Sequence, residues 1–245
     1  PRAAPDEAAD AYADGVLALD TAWEAQGYRD AYDSLSRAVE LRPTFARAYL
    51  QRADAAFRLG SPQRSGFLSI STPEWLERST ADLLRAHELG SRDIQVLANL
   101  GFQRFLQGIQ ADRPELFEQS IAATRQALAL SPGDPVARYN LAVALLAAGR
   151  IEESRSAYAD AVRATVYLDA GAGITRDDPY TEEAYLAGAL TDLGLLESFR
   201  PGLAAEIAGI KASIVTAVAA GASVPASAAA TVATLTVSRL AVDIF

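Results

Sequence analysis

Apolar residues recur three and four positions apart through most of residues 1–166, in paired runs separated by short polar breaks. That spacing predicts amphipathic helices joined in hairpins, with no segment long enough in strict alternation to predict a sheet there. The run from Pro135 to Val166, PVARYNLAVALLAAGRIEESRSAYADAVRATV, holds two such patterns joined at Gly149. A second-helix pattern of small, apolar and small residues ending on proline or a polar break occurs four times. It reads Ala31, Leu35, Ala38, Leu41, Pro43; then Ser79, Leu83, Ala86, Leu89; then Ser120, Thr124, Ala127, Leu130, Pro132; then Ser154, Tyr158, Ala161, Ala164. Small side chains let two helices approach closely, and a proline ends a helix because it supplies no amide donor.

A repeating helix–turn–helix with Leu141, Ala142, the turn Gly149, Tyr158 and Ala161 in this register resembles the tetratricopeptide repeat, a unit of about 34 residues. The key alanines 38, 86, 127 and 161 stand 48, 41 and 34 residues apart. The turn glycines Gly60, Gly108 and Gly149 show the same first two intervals, so insertions are expected near 61–78 and 109–119, after the turn glycine and before the second helix. Ser71-Thr72-Pro73-Glu74 and Asp112-Arg113-Pro114-Glu115 are helix-start signals, and they predict second helices that begin early and run long. The loop Ser61–Ile70 carries Phe67, Leu68 and Ile70, which either pack back on the lengthened helix or form a flap.

The expected fold is therefore all-α, a right-handed α-solenoid of four repeats over about 6–45, 46–93, 94–134 and 135–166. The first helix is expected from after Pro5-Asp6 to about Gln26. A linker is expected at 167–178, a closing helical pair at 179–220 and an Ala/Thr-rich tail at 221–245, in which the β-branched run from Thr231 predicts a short strand, the possible start of a further domain.

Charge and composition narrow the function. With 31 acidic against 22 basic residues the net charge is -9, so no basic face for nucleic acid or an anionic membrane is expected. There is no cysteine, and His87 is the single histidine, which removes thiolate and multi-histidine metal sites. Gly171-Ala-Gly173 lacks the third glycine and the Lys-Ser/Thr of a phosphate loop and is read as linker. No catalytic, cofactor or metal residues are expected. The uncharged run Ala212–Ser238 is split by Gly221 and Pro225 into pieces too short to span a bilayer, so no membrane insertion is expected. A chain that starts at Pro1, contains no methionine and uses arginine for every basic residue but Lys211 reads as a middle piece of a longer bacterial protein, with the compartment, cytoplasmic or extracytoplasmic, left open.

The resemblance implies a site. In that family the first helices of successive repeats line a concave groove that holds a peptide or partner helix. The corresponding positions are Arg47, Leu50, Asp54, Phe57 and Arg58; then Gln95, Ala98, Phe102, Phe105 and Leu106; then Val136, Tyr139, Val143, Leu146 and Ala147; with Val16, Asp20, Trp23 and Glu24 from repeat one. Trp23 and Phe57 read equally well as packing residues. Val16 and Asp20 stand where the family's carboxylate clamp needs a lysine and an asparagine, so that clamp is not expected; Asn99 and Asn140 match only the general repeat pattern. The expected function is a non-catalytic protein-interaction module. The alternative is a structural stalk or spacer in a membrane-anchored protein.

Overall fold

The computed structural model describes residues 6–61, 71–172 and 182–221. They form helices α1 (Glu7–Thr21), α2 (Ala25–Leu41), α3 (Ala46–Leu59), α4 (Pro73–Glu88), α5 (Ile94–Ala111), α6 (Glu115–Leu130), α7 (Pro135–Ala147), α8 (Ile151–Ala172), α9 (Glu182–Phe199) and α10 (Ala204–Gly221), with a 3-10 turn at Pro201–Leu203 and no strand among the described residues. The loop residues 62–70, residues 173–181 and the tail from 222, with its expected strand, lie outside the described residues.

Local chemistry sets the helix ends. Asp6, Asp93 and Asp134 accept hydrogen bonds from Ala9, Gln95 and Ala137 amides and so cap α1, α5 and α7. Pro73 and Pro135 open α4 and α7, where a missing amide costs nothing. Gly149 closes α7 at φ +77°, a left-handed conformation that disfavours any side chain, and the Arg150 amide then bonds back to the Leu145 carbonyl.

Helices pair as α1–α2, α3–α4, α5–α6 and α7–α8, and each second helix packs on the first helix of the next pair. This is a helical-repeat solenoid in which the core is a row of clusters, each shared by neighbouring hairpins. One hydrogen bond recurs inside three hairpins. The Ser79, Ser120 and Ser154 hydroxyls donate to the carbonyls of Ala53, Gly101 and Ala142 at 2.6, 2.6 and 2.8 Å, and all three serines are fully buried. Ala31 occupies that place in repeat one and has no hydroxyl to donate. Two polar links also join neighbouring hairpins. Gln103 Nε2 donates to Ser79 Oγ (2.8 Å) while Thr80 donates to Gln103 Oε1 (3.0 Å), and Asn140 Nδ2 donates to the Ala98 carbonyl.

The second insertion differs from the expectation. Gly108 is no turn; it lies inside α5, where an added Cβ would stand 2.5 Å from the Phe117 ring. The extra residues extend α5 to Ala111 and start α6 slightly earlier, leaving a turn of the same three-residue length as the one between α7 and α8. Ile109 explains the extension, because another helical turn buries it in the core, and Asp112 at φ 49° then makes the turn. The second helices are also not lengthened: α4 and α6 have 16 residues each against 17 in α2. Helix α1 stops at Thr21, short of Gln26, and α8 continues as helix to Ala172 through residues expected as linker.

The last two helices do not repeat the hairpin pattern. α10 packs mainly on α8 through the buried stripe Ile207, Ile210 and Ile214. α9 packs against α7 and α8 and also reaches α5.

Candidate protein-interaction surface

The first helices lie side by side, α1 against α3 and α5 against α7, so they form one face of the stack. The positions predicted to line that face fall into two groups. Arg47, Arg58, Gln95 and Val136 are exposed, and Asp54, Phe57 and Phe102 are half-buried. Leu50, Ala98, Phe105, Leu106, Tyr139, Val143, Leu146 and Ala147 are buried. In this conformation those eight present almost no surface to a partner.

Helix α9 contributes to that burial together with α6, α8 and α10. Its Leu186, Ala189, Leu193 and Leu196 share one core cluster with Phe105, Leu106, Tyr139, Val143 and Leu146. The spacing of those α9 residues is helical and legible in the sequence, but nothing local shows that the helix comes to lie on α5 and α7. Arg200, just past α9, pairs with Asp112 at 3.0 Å and stands over the Phe117 ring, which fixes the end of α9 at the α5–α6 turn.

Buried hydroxyls stand in this half of the face. The Tyr139 and Thr165 hydroxyls are 3.2 Å apart. The Tyr158 hydroxyl is buried with no hydrogen-bond partner, and burial together with the nearby Asp192 carboxyl raises it well above the ordinary phenol range. Asp192 itself, on α9, is pushed up to about 7 by burial.

The half-buried positions of the face, Asp54, Phe57 and Phe102, belong to α3 and α5. Phe102 packs beside Phe105, with ring centres 6.0 Å apart, while Phe57 leans on the same cluster from α3. Arg58 holds Asp54 at 3.0 Å and lies over the Tyr28 ring. Apolar rings beside a charged pair can take an apolar side chain and a backbone or charged group together. Trp23, readable beforehand as groove or packing, is 66% exposed. His87 is exposed on α4.

A second feature, unrecognised from sequence, lies on the other side of the stack. Trp75 of α4 meets Tyr32 of α2 edge-on at 5.3 Å and has the Arg29 and Arg78 guanidinium groups at 5.3 and 5.0 Å from its ring centre. Arg52 of α3 continues the row, close to the Tyr32 and Tyr49 rings, and holds Asp82 with two bonds of 2.8 and 2.7 Å. Burial pushes the Asp82 carboxyl upward, and the Arg52 fork pulls against it. The aromatic and arginine positions one turn apart on α2 and α4 were the available signal.

Residues 115–166 match the family model of the tetratricopeptide repeat, over helices α6 to α8. The chain carries tetratricopeptide repeats. Among solved structures, a crystal structure of the MamA protein is 14% identical, with 90% of this chain and 96% of that chain covered and a TM-score of 0.55. A second, MamA from residue 41 to its end from Desulfovibrio magneticus RS-1, is 14% identical over 84% of this chain and 94% of that one, with a TM-score of 0.53. At that identity the likeness is one of fold. No curated protein matches the chain. Tetratricopeptide repeats are a fold of protein–protein interaction modules. No helix among the described residues is long and apolar enough to cross a membrane.

Proposed function

We propose that this tetratricopeptide-repeat chain is a non-catalytic interaction module that holds a peptide or helix of a protein partner along the first-helix face of α3 and α5, without the repeat-one positions Val16, Asp20, Trp23 and Glu24. The observation that supports this reading is the half-buried pair Phe57 and Phe102 on α3 and α5, beside the Asp54–Arg58 ion pair. Rings left partly exposed on a rigid helical face supply contact area at little entropic cost. The expected groove thus narrows to Arg47, Asp54, Phe57, Arg58, Gln95 and Phe102, while Tyr139, Val143 and Leu146 serve the α9 contact.

The test is affinity capture from the source cell with the wild-type chain and with a Phe57→Ala/Phe102→Ala variant, both checked for unchanged helicity. A partner captured by the wild type and lost from the variant supports the reading. A partner that the variant holds equally well removes α3 and α5 from the binding surface.

A further inference from the structure

Two thirds of the net charge comes from one short stretch. Residues 6–28 contain six acidic and no basic residues, in a chain whose total is -9. Asp6 and Glu7 are used internally, paired with Arg42, just past the end of α2, and with Arg37 of α2. The other four, Asp10, Asp14, Asp20 and Glu24, are exposed and make no ion pair among the described residues.

Their placement follows from the helix. Ala8, Ala11, Gly15 and Leu19 are the buried stripe of α1. Asp10, Asp14, Leu17 and Asp20 therefore share the opposite side, with Asp14 and Asp20 each three residues from Leu17 and so its surface neighbours. Leu17 is 65% exposed there, and Trp23, just beyond the end of α1 and beside Glu24, is 66% exposed. These are the two most exposed large apolar side chains among the described residues. A leucine on the polar side of an amphipathic helix and a solvated tryptophan lower solubility without adding to the core, which is the pattern of an interface left open.

We propose that the outward side of α1 docks a basic amphipathic helix of a partner protein, distinct from the occupant of the first-helix face. Leu17 and Trp23 supply the apolar anchor, and Asp10, Asp14, Asp20 and Glu24 form the rim that selects cationic side chains. Charge complementarity decides the class of occupant. Four unpaired carboxylates repel nucleic acid and anionic lipid, and they repel a second α1 of the same kind. An acidic or neutral helix gains the apolar contact only by leaving the rim unmatched.

The experiment uses the whole chain and a synthetic fluorescent peptide, a helix with leucines on one side and lysines on the other, beside a peptide of the same composition in scrambled order. Binding is read by anisotropy as salt rises from about 50 to about 300 mM, a range over which surface charge is increasingly screened. The expected result is saturable binding of the amphipathic peptide, weaker binding of the scrambled one, and affinity that falls as salt rises. Leu17→Ala/Trp23→Ala should weaken binding about tenfold, Asp14→Asn/Asp20→Asn should flatten the salt dependence, and Phe57→Ala/Phe102→Ala should leave both unchanged. Because all four α1-region side chains are exposed, melting temperatures should not move. No binding to the wild type, equal binding of the scrambled peptide, or full binding to Leu17→Ala/Trp23→Ala overturns the proposal. Concentration-dependent dimerisation that Trp23→Ala abolishes would assign the surface to a second copy and overturn it as well.

Discussion

The three buried serines that tie first helix to second helix offer a graded test of how this solenoid is held together. Ser154→Ala removes one neutral hydrogen bond, and the Ala142 carbonyl it served remains within α7. A bond of that kind contributes about 1 kcal/mol, and alanine returns about half of that through its higher helix propensity, so the net loss should be about 0.5 kcal/mol. Ser79→Ala removes the same bond to Ala53 but also takes away the acceptor of Gln103 Nε2, whose side chain is 4% exposed and has nowhere to turn. Leaving a buried amide donor unpaired adds about 1–3 kcal/mol, for a total of about 2–3. Urea unfolding followed by far-UV circular dichroism resolves such a difference. Ser79→Ala combined with Gln103→Leu should cost clearly less than the two single changes summed, because the orphaned group is gone. If Ser79→Ala and Ser154→Ala cost the same, or if the pair adds without coupling, the polar link between repeats two and three does not contribute as argued.

Asp192 should give the chain a pH dependence of the opposite sign to most carboxylates. Its folded value near 7 lies above the ordinary 3.8, so its contribution is complete below about pH 4 and is lost as pH rises toward 7. The ceiling is about 4 kcal/mol; because water still reaches this half-buried side chain, about 1–2 kcal/mol is expected, and melting of Asp192→Asn at pH 4.5 and 7.5 should show the slope removed. Two glycine-to-alanine changes should act in opposite directions in thermal melts. At Gly101 the new methyl would stand 2.2 Å from Thr124 Oγ1 and cost about 1–3 kcal/mol, whereas at Gly188 of α9 nothing lies within 4 Å and helix propensity should add about 0.5–1 kcal/mol. Leu193→Ala, at a fully buried site, should cost about 2–5 kcal/mol, and hydrogen exchange should place the lost protection in α7 to α10 with α1 to α4 unaffected; uniform loss along the chain would contradict a core built of neighbouring clusters.

The hairpins were legible because their signals are local: a capping acid, a first-turn proline, and apolar residues at helical spacing. Gly108 and Gly149 show where local reading ends. A glycine serves either a left-handed turn or a close approach, and one letter does not distinguish φ +77° after α7 from a Phe117 ring pressed on α5. Phe105, Tyr139, Val143 and Leu146 show a second limit. Register identified which side of α5 and α7 they occupy, but they are buried in a cluster shared with α6, α8, α9 and α10, whose assembly depends on shape complementarity across helices distant in sequence. The aromatic and arginine row between α2 and α4 escaped for the same reason, being assembled from three helices at once.

That row has a mechanical consequence. A stack of hairpins behaves as a spring, and stretching it along its axis parts successive second helices. Between α2 and α4 such parting must draw Trp75 away from the Arg29 guanidinium and from the Tyr32 ring, while Arg52 and Asp82 keep α3 tied to α4. At the other end, α9 rests on a contact holding a half-buried acid and an unpartnered hydroxyl. Tension applied across the chain should therefore extend it from the α9 end, uncovering Tyr139, Val143 and Leu146 while the first two hairpins keep their shape.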